Sequence, residues 1–161
     1  MMAFIIRQPV AADIPDLIVM IDELNVHEDE PTGHMTPAKA QRDLIGPDAA
    51  LGAFVAEEDG ALIGFSFWHT AYETCYAVRG GFINDLYVRA SHRGAGVGKA
   101  LVQAVARAVA ANGGEFVWLT GYSHNDVARR FYKRLMDEEE ERLVAYALTG
   151  DRFKALVGGE V

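Results

Sequence analysis

Apolar residues fall along the chain in runs whose period keeps changing, and each change predicts a new element. Phe4–Gln8 is a strand-like run that Pro9 stops. Ile14, Leu17, Ile18, Ile21 and Leu24 recur at helical spacing, behind Asp13 as a cap and Pro15 in the first turn. Residues 27–35 are polar, with Pro31 and Gly33, and predict a loop. A short helix over Thr36–Ile45 follows, broken by Gly46 and Pro47. Two apolar runs between Leu51 and Thr70 flank Glu57-Glu58-Asp59-Gly60, which predicts a hairpin. Residues 71–81 are less regular.

Alternation returns at Phe82–Val88. It predicts a strand with Phe82, Asn84, Leu86 and Val88 on one face and Ile83, Asp85 and Tyr87 on the other. Leu101, Val102, Val105 and Val109 then mark the buried stripe of a long helix, ended by Asn112-Gly113-Gly114. Residues 115–121 read as a strand, and Asn125 caps a helix carrying Val127, Ala128, Phe131 and Leu135. A last strand over Glu141–Leu148 and a helical turn over Asp151–Val157 complete the expectation. The order β-α-α-β-β-β-α-β-α-β describes one mixed α/β domain over residues 1–161.

Composition narrows the chemistry. Fifteen basic against 23 acidic residues leave a net charge of −8. That disfavours a nucleic-acid partner, whose phosphates need a basic face. It suits a cationic substrate, although an acidic surplus commonly serves solubility alone. Cys75 is the sole cysteine, so no intrachain disulfide forms. His27, His34, His69, His92 and His124 form no i, i+4 pair, and no metal site is expected. With no apolar run of signal-peptide or membrane-spanning length, a cytoplasmic protein without a membrane partner is expected.

The densest chemical signal is "RASHRGAGVGKALVQAVA", Arg89–Ala106, where three glycines separate a strand from a helix. A glycine-rich turn at a helix N-terminus presents unpaired N–H groups at the positive end of the dipole, a phosphate site. The P-loop pattern fails twice, because Arg93 stands where its first glycine belongs and Ala100 follows Lys99. The dinucleotide pattern lacks its third glycine. Arg93, Gly96 and Gly98 do fit R/Q-x-x-G-x-G/A. Downstream, Asn125, Ala128, Phe131 and Tyr132 have the spacing N-x-x-A-x-x-F-Y.

Together these motifs resemble the GNAT superfamily of acetyl-CoA-dependent acyltransferases, most specifically over Val88–Leu135. The resemblance implies a mixed, mostly antiparallel central sheet flanked by helices and splayed open in the middle. It implies acetyl-CoA as acetyl donor, with its diphosphate on the N–H groups of Arg93, Gly94, Ala95, Gly96, Val97, Gly98 and Lys99. Backbone groups of Leu86, Tyr87 and Val88 would pair with the pantetheine arm, and an N–H near Val88 would polarise the acetyl carbonyl. Asn125 and Ala128 would contact the coenzyme, and Tyr132 would protonate the departing thiolate. Asn125 serves equally as a helix cap.

The base is harder to place. The strand resembles the "EDLYV" of the spermidine/spermine and thialysine acetyltransferase branch, with Asn84 where that branch has glutamate. An amide nitrogen cannot accept a proton. That leaves Asp85, the expected base, or Glu73, acting directly or through water, unless the amine arrives neutral. Glu28, in the acidic run Glu28-Asp29-Glu30, together with Glu73 and Asn84, is expected on the acceptor side. Met136 replaces the usual glycine after the second motif, so that helix is expected to run on or end differently. The favoured reading is transfer of acetyl to a primary amine of a small cationic molecule. Protein N-terminal or lysine acetylation, and a non-catalytic acyl-CoA sensor, are the alternatives. The short C-terminal segment, with Phe153, Leu156 and Val157, suggests a homodimer.

Overall fold

The computed structural model describes residues 4–137 and 146–158. The chain divides into two compact units, residues 1–122 and 123–161. In the first unit, β1 (Ile5–Arg7) leads through a short 3₁₀ turn to α1 (Ile14–His27) and α2 (Pro37–Leu44). Then come β2 (Gly52–Glu58), β3 (Ala61–Glu73), β4 (Val78–Val88), α3 (Val97–Ala111) and β5 (Phe116–Leu119). The five strands form one sheet in chain order. All neighbours are antiparallel except β4 and β5, which run parallel.

Each side of this sheet has its own helix layer. Leu17, Met20 and Leu24 of α1 and Ala40 and Leu44 of α2 pack with Val55, Phe65, Phe67 and Tyr87. The stripe predicted on α1 is correct, with Met20 added and Ile18 and Ile21 only partly buried. On the opposite side, Val97 and Leu101 of α3 cover Ala56 and Ile63, while Val105 and Val109 cover Trp68 and Ile83. Gly81 permits this closeness, because a Cβ there would collide with Val109.

Several local expectations are corrected. Asp13 precedes α1 but gives that helix no side-chain cap. Its carboxylate instead accepts the Val10 N–H at 2.7 Å and two Arg7 bonds at 2.6 and 2.8 Å. Arg7 also reaches Glu57, so one guanidinium joins β1, the turn and β2. The less regular stretch after Thr70 is strand: β3 runs to Glu73 and β4 starts at Val78, a longer hairpin than its sequence suggested. Thr36 caps α2 through a bond from the Lys39 N–H, close to the expected start.

The second unit contains α4 (Asp126–Tyr132) and α5 (Gly150–Gly158). Asn125 caps α4, its side chain accepting the Ala128 N–H at 3.1 Å. The helix ends at Tyr132 in turns, and Met136 donates its N–H to the Tyr132 carbonyl at 2.8 Å. Met136 takes no left-handed conformation, so the chain leaves the helix without the cap a glycine would make. The strand expected over Glu141–Leu148 lies outside the described residues as far as residue 145, and Tyr146–Leu148 have no regular structure. α5 replaces the expected helical turn and leaves Phe153, Leu156 and Val157 exposed.

Candidate active site

The strand before the glycine turn breaks its own alternation. Phe67 pairs with Asp85 while the next residue, Trp68, pairs with Ile83, so Asn84 is the extra residue of a β-bulge. The bulge overturns the face assignment made from alternation. Ile83, expected beside Tyr87, instead joins Leu86 in the cluster under α3, and Tyr87 remains on the α1 side. Pairing between β4 and β5 ends at Ile83 and Leu119. From Asn84 to Val88, the β5-side backbone edge of β4 therefore has no strand partner among the described residues. A sheet split in this way offers its free edge to an extended ligand.

The turn that follows is shaped for an anion. Gly94 and Gly96 have φ of 81° and 89°, values that residues with a Cβ rarely adopt. Neither would meet a neighbour within 4 Å if a Cβ were added, so the space above the turn is open. Gly98 lies within the first turn of α3 and has no positive φ. Gly96 is the helix cap and supplies no side-chain acceptor, which leaves the first N–H groups of α3 for a ligand. Arg93 is partly committed: its Nε donates to the Val88 carbonyl at 2.9 Å, with the guanidinium 6.0 Å from the Tyr87 ring centre. The preceding His92 meets Glu58 at 3.2 Å, tying the turn to β2.

A clamp fixes the end of β4 against α1. Glu23 accepts the Tyr87 hydroxyl at 3.0 Å and two Arg89 bonds at 3.2 and 3.3 Å, and Arg89 also donates to the Leu62 carbonyl at 2.8 Å. Burial, then Glu23, pushes the Tyr87 phenol above its ordinary range. Sequence reasoning missed Glu23 and Arg89, since their roles depend on a contact distant in the chain.

The carboxylates of this region repel one another. Burial, and secondly Glu28, raise the Asp85 carboxyl above its ordinary value. Glu28 is itself raised by burial, with His27 opposing and Glu30 adding to the shift. Glu30 accepts the Tyr122 hydroxyl at 3.1 Å. Asp85 has no hydrogen-bond or ion-pair partner among the described residues. Glu28 is thus near enough to act on the Asp85 charge.

Glu73 is not brought to them. It pairs with Val78 at the far end of the hairpin, accepting the Cys75 N–H at 3.0 Å. The strand from Val78 to Asp85 spans about 20 Å. At the bulge, Asn84 Oδ1 lies 2.8 Å from Nδ1 of His69. The imidazole also lies 5.4 Å from the Phe82 ring. Sequence spacing gave no sign of this pair, which requires the bulged register. In the second unit, Tyr132 ends α4 with its ring edge-on to Phe131 at 5.2 Å.

A family model described as the acetyltransferase (GNAT) family matches residues 18–137. The chain belongs to the GNAT acetyltransferases. This GNAT protein is similar to an uncharacterised N-acetyltransferase, YhfO, of Bacillus subtilis strain 168, at 31% identity over 115 residues, 66% of this chain and 77% of that one. In fold it is similar to a ribosomal-protein-alanine N-acetyltransferase from Brucella melitensis, with TM-score 0.72, 21% identity and coverage of 90% and 100% of the two chains. It is also similar to a soil-metagenome aminoglycoside acetyltransferase in complex with sisomicin, with TM-score 0.73, 22% identity and coverage of 91% and 95%. The GNAT assignment makes the chain an acetyl-CoA-dependent N-acetyltransferase. The split sheet and open glycine turn suit that donor.

Proposed function

We propose that this acetyltransferase acts on a primary amine of a small, cationic molecule. One observation carries the reading: Asp85, half-buried and without a partner among the described residues, faces the field of Glu28 at the place where β4 parts from β5. Two carboxylates held near each other out of water stabilise a cation between them. A protonated amine supplies that charge, and the chain's excess of acidic residues draws it in.

In this reading acetyl-CoA lies along the free edge of Leu86–Val88, with its diphosphate on the turn from Arg93 to Lys99. The acceptor is held by Asp85 and Glu28. Tyr132 donates the proton that the departing thiolate takes, and Asn125 and Ala128 help to seat the coenzyme. The spermidine and thialysine branch offers the nearest analogy for the substrate, with Asn84 in place of its glutamate marking a different acceptor.

The experiment is an acetyl-CoA turnover screen against polyamines, basic amino acids, aminoglycosides and peptides, repeated across ionic strengths. A cationic small amine should be acetylated, with KM rising as salt screens the carboxylates. Glu28→Gln should raise KM more than it lowers kcat. Turnover confined to neutral amines or to peptides would reject the cationic acceptor and leave the family assignment intact.

A further inference from the structure

Carboxylates that hold an amine also hold its proton. An ammonium beside Asp85 and Glu28 has its pKa raised by them, and an ammonium nitrogen has no lone pair with which to attack a thioester. The site needs a proton acceptor that is not itself the cation's anchor. Asn84 cannot be that group, because its amide accepts hydrogen bonds only through oxygen.

We infer that His69 is the general base of this site and that Asn84 is the residue that positions it. The Nδ1–Oδ1 distance of 2.8 Å is a hydrogen bond. Amide oxygen only accepts, so the imidazole carries its hydrogen on Nδ1 and keeps the lone pair on Nε2. The bond thereby selects the tautomer that has a free basic nitrogen. The tilted packing of His69 against Phe82, which Trp118 in turn meets edge-on at 5.8 Å, limits the ring's rotation.

Location supports the role. β3 keeps its alternation through this region, so His69 shares a sheet face with Phe65 and Phe67, the face covered by α1. Phe67 is the cross-strand partner of Asp85, which makes His69 a diagonal neighbour of Asp85 on that face. Asn84 stands one residue past the last β4–β5 pair. The imidazole is therefore bonded to the first residue past that pair, and it is solvent-exposed, so a proton taken there can pass to water. Charged and titratable groups toward the α1 side include Asp85 on β4, Glu28 and Glu30 beyond α1, and the Glu23–Tyr87–Arg89 clamp.

Nε2 takes one proton from the ammonium, and the freed nitrogen lone pair attacks the thioester carbonyl carbon. The new C–N bond forms, the C–S bond breaks, and the sulfur leaves with that bond's electron pair as a thiolate. The nitrogen's second proton is lost as the amide forms, the thiolate is protonated, and the imidazole releases its proton to water. Ammonium and thioester give amide, thiol and one proton.

The inference rests on the amine-acetylating reading above, and its test separates the two. With the best amine from the screen, wild type should show an acidic limb in the pH profile of kcat. His69→Gln should lower kcat about 10²–10³-fold and abolish that limb, with acetyl-CoA affinity retained. Asn84→Ala, which removes the acceptor, should lower kcat less, by about 10-fold. Asn84→Asp keeps the acceptor and adds charge, so the limb should move to higher pH. A merely structural contact would leave the limb in place in all three variants. A limb that persists in His69→Gln but disappears in Asp85→Asn would overturn the inference and make Asp85 the base. No amine turnover by wild type would instead reject the underlying reading. Imidazole ¹⁵N shifts, which need no activity, should show the Nδ1–H tautomer in wild type and its loss in Asn84→Ala. An Nε2–H tautomer in the wild-type protein also overturns the proposal.

Discussion

Tyr132→Phe keeps an aromatic ring at the end of α4 and removes only the hydroxyl. If that hydroxyl protonates the thiolate, kcat should fall about 10²–10⁴-fold, while calorimetric affinity for acetyl-CoA changes little. Near-normal turnover would pass the proton to another group or to water. Asp85 makes a different kind of prediction. Its carboxyl is raised, first by burial and then by Glu28, so ionising it opposes folding. The folded state then holds its proton to higher pH than the unfolded chain, and stability is lost as pH rises through the raised value. Asp85→Asn removes that penalty without changing shape. The variant should melt higher than wild type near neutral pH, and the difference should vanish below about pH 4, where the unfolded carboxyl is also protonated. In the same variant KM for a cationic amine should rise about 10-fold or more. A lower melting temperature at neutral pH would show that Asp85 is structurally required, contrary to this account.

At the level of elements, the strand–turn–helix unit of β4 and α3 is the donor side in the proposed reading. Two left-handed glycines reverse the chain and leave the helix start without side chains above it. Gly96→Val puts a branched residue at φ 89°, where it is strained, and fills the space that phosphate oxygens need. Affinity for CoA should fall about 10-fold or more by calorimetry, with circular dichroism confirming that the variant folds. Undiminished affinity in a folded variant would move the diphosphate elsewhere. The motif, its position after a strand and its opening of a helix were all legible in the sequence. The bulge beside it was not. Alternation assigns faces strictly by twos, and one extra residue at Asn84 moves Ile83 to the opposite face. Nothing in the order of residues marks the insertion, because the register belongs to the pair of strands.

For the molecule as a whole, the sheet divides beyond the Ile83–Leu119 pair, and in the proposed reading the chemistry lies there, beside Asp85 and Glu28. Local pattern was sufficient for what depends on neighbours in sequence. It carried the helices of α1, α2 and α3, the glycine turn, the Asn125 cap, the mixed α/β class and the family. Those features arise from spacing, propensity and dipole direction, which a single stretch of chain contains. It failed wherever a partner lay far along the chain. Arg7, which draws Asp13 away from capping its helix, is itself held by Glu57, 50 residues away. Glu23 holds Arg89 and Tyr87 across more than 60 residues. Glu73 and Asp85, close in chemistry, are separated by the length of a hairpin that the sequence made shorter. His69 and Asn84 meet because two strands pair with one residue to spare. Hydrogen bonds and charges act over a few ångströms regardless of sequence distance, so the assembled sheet sets these pairs, and with them the chemistry at the split.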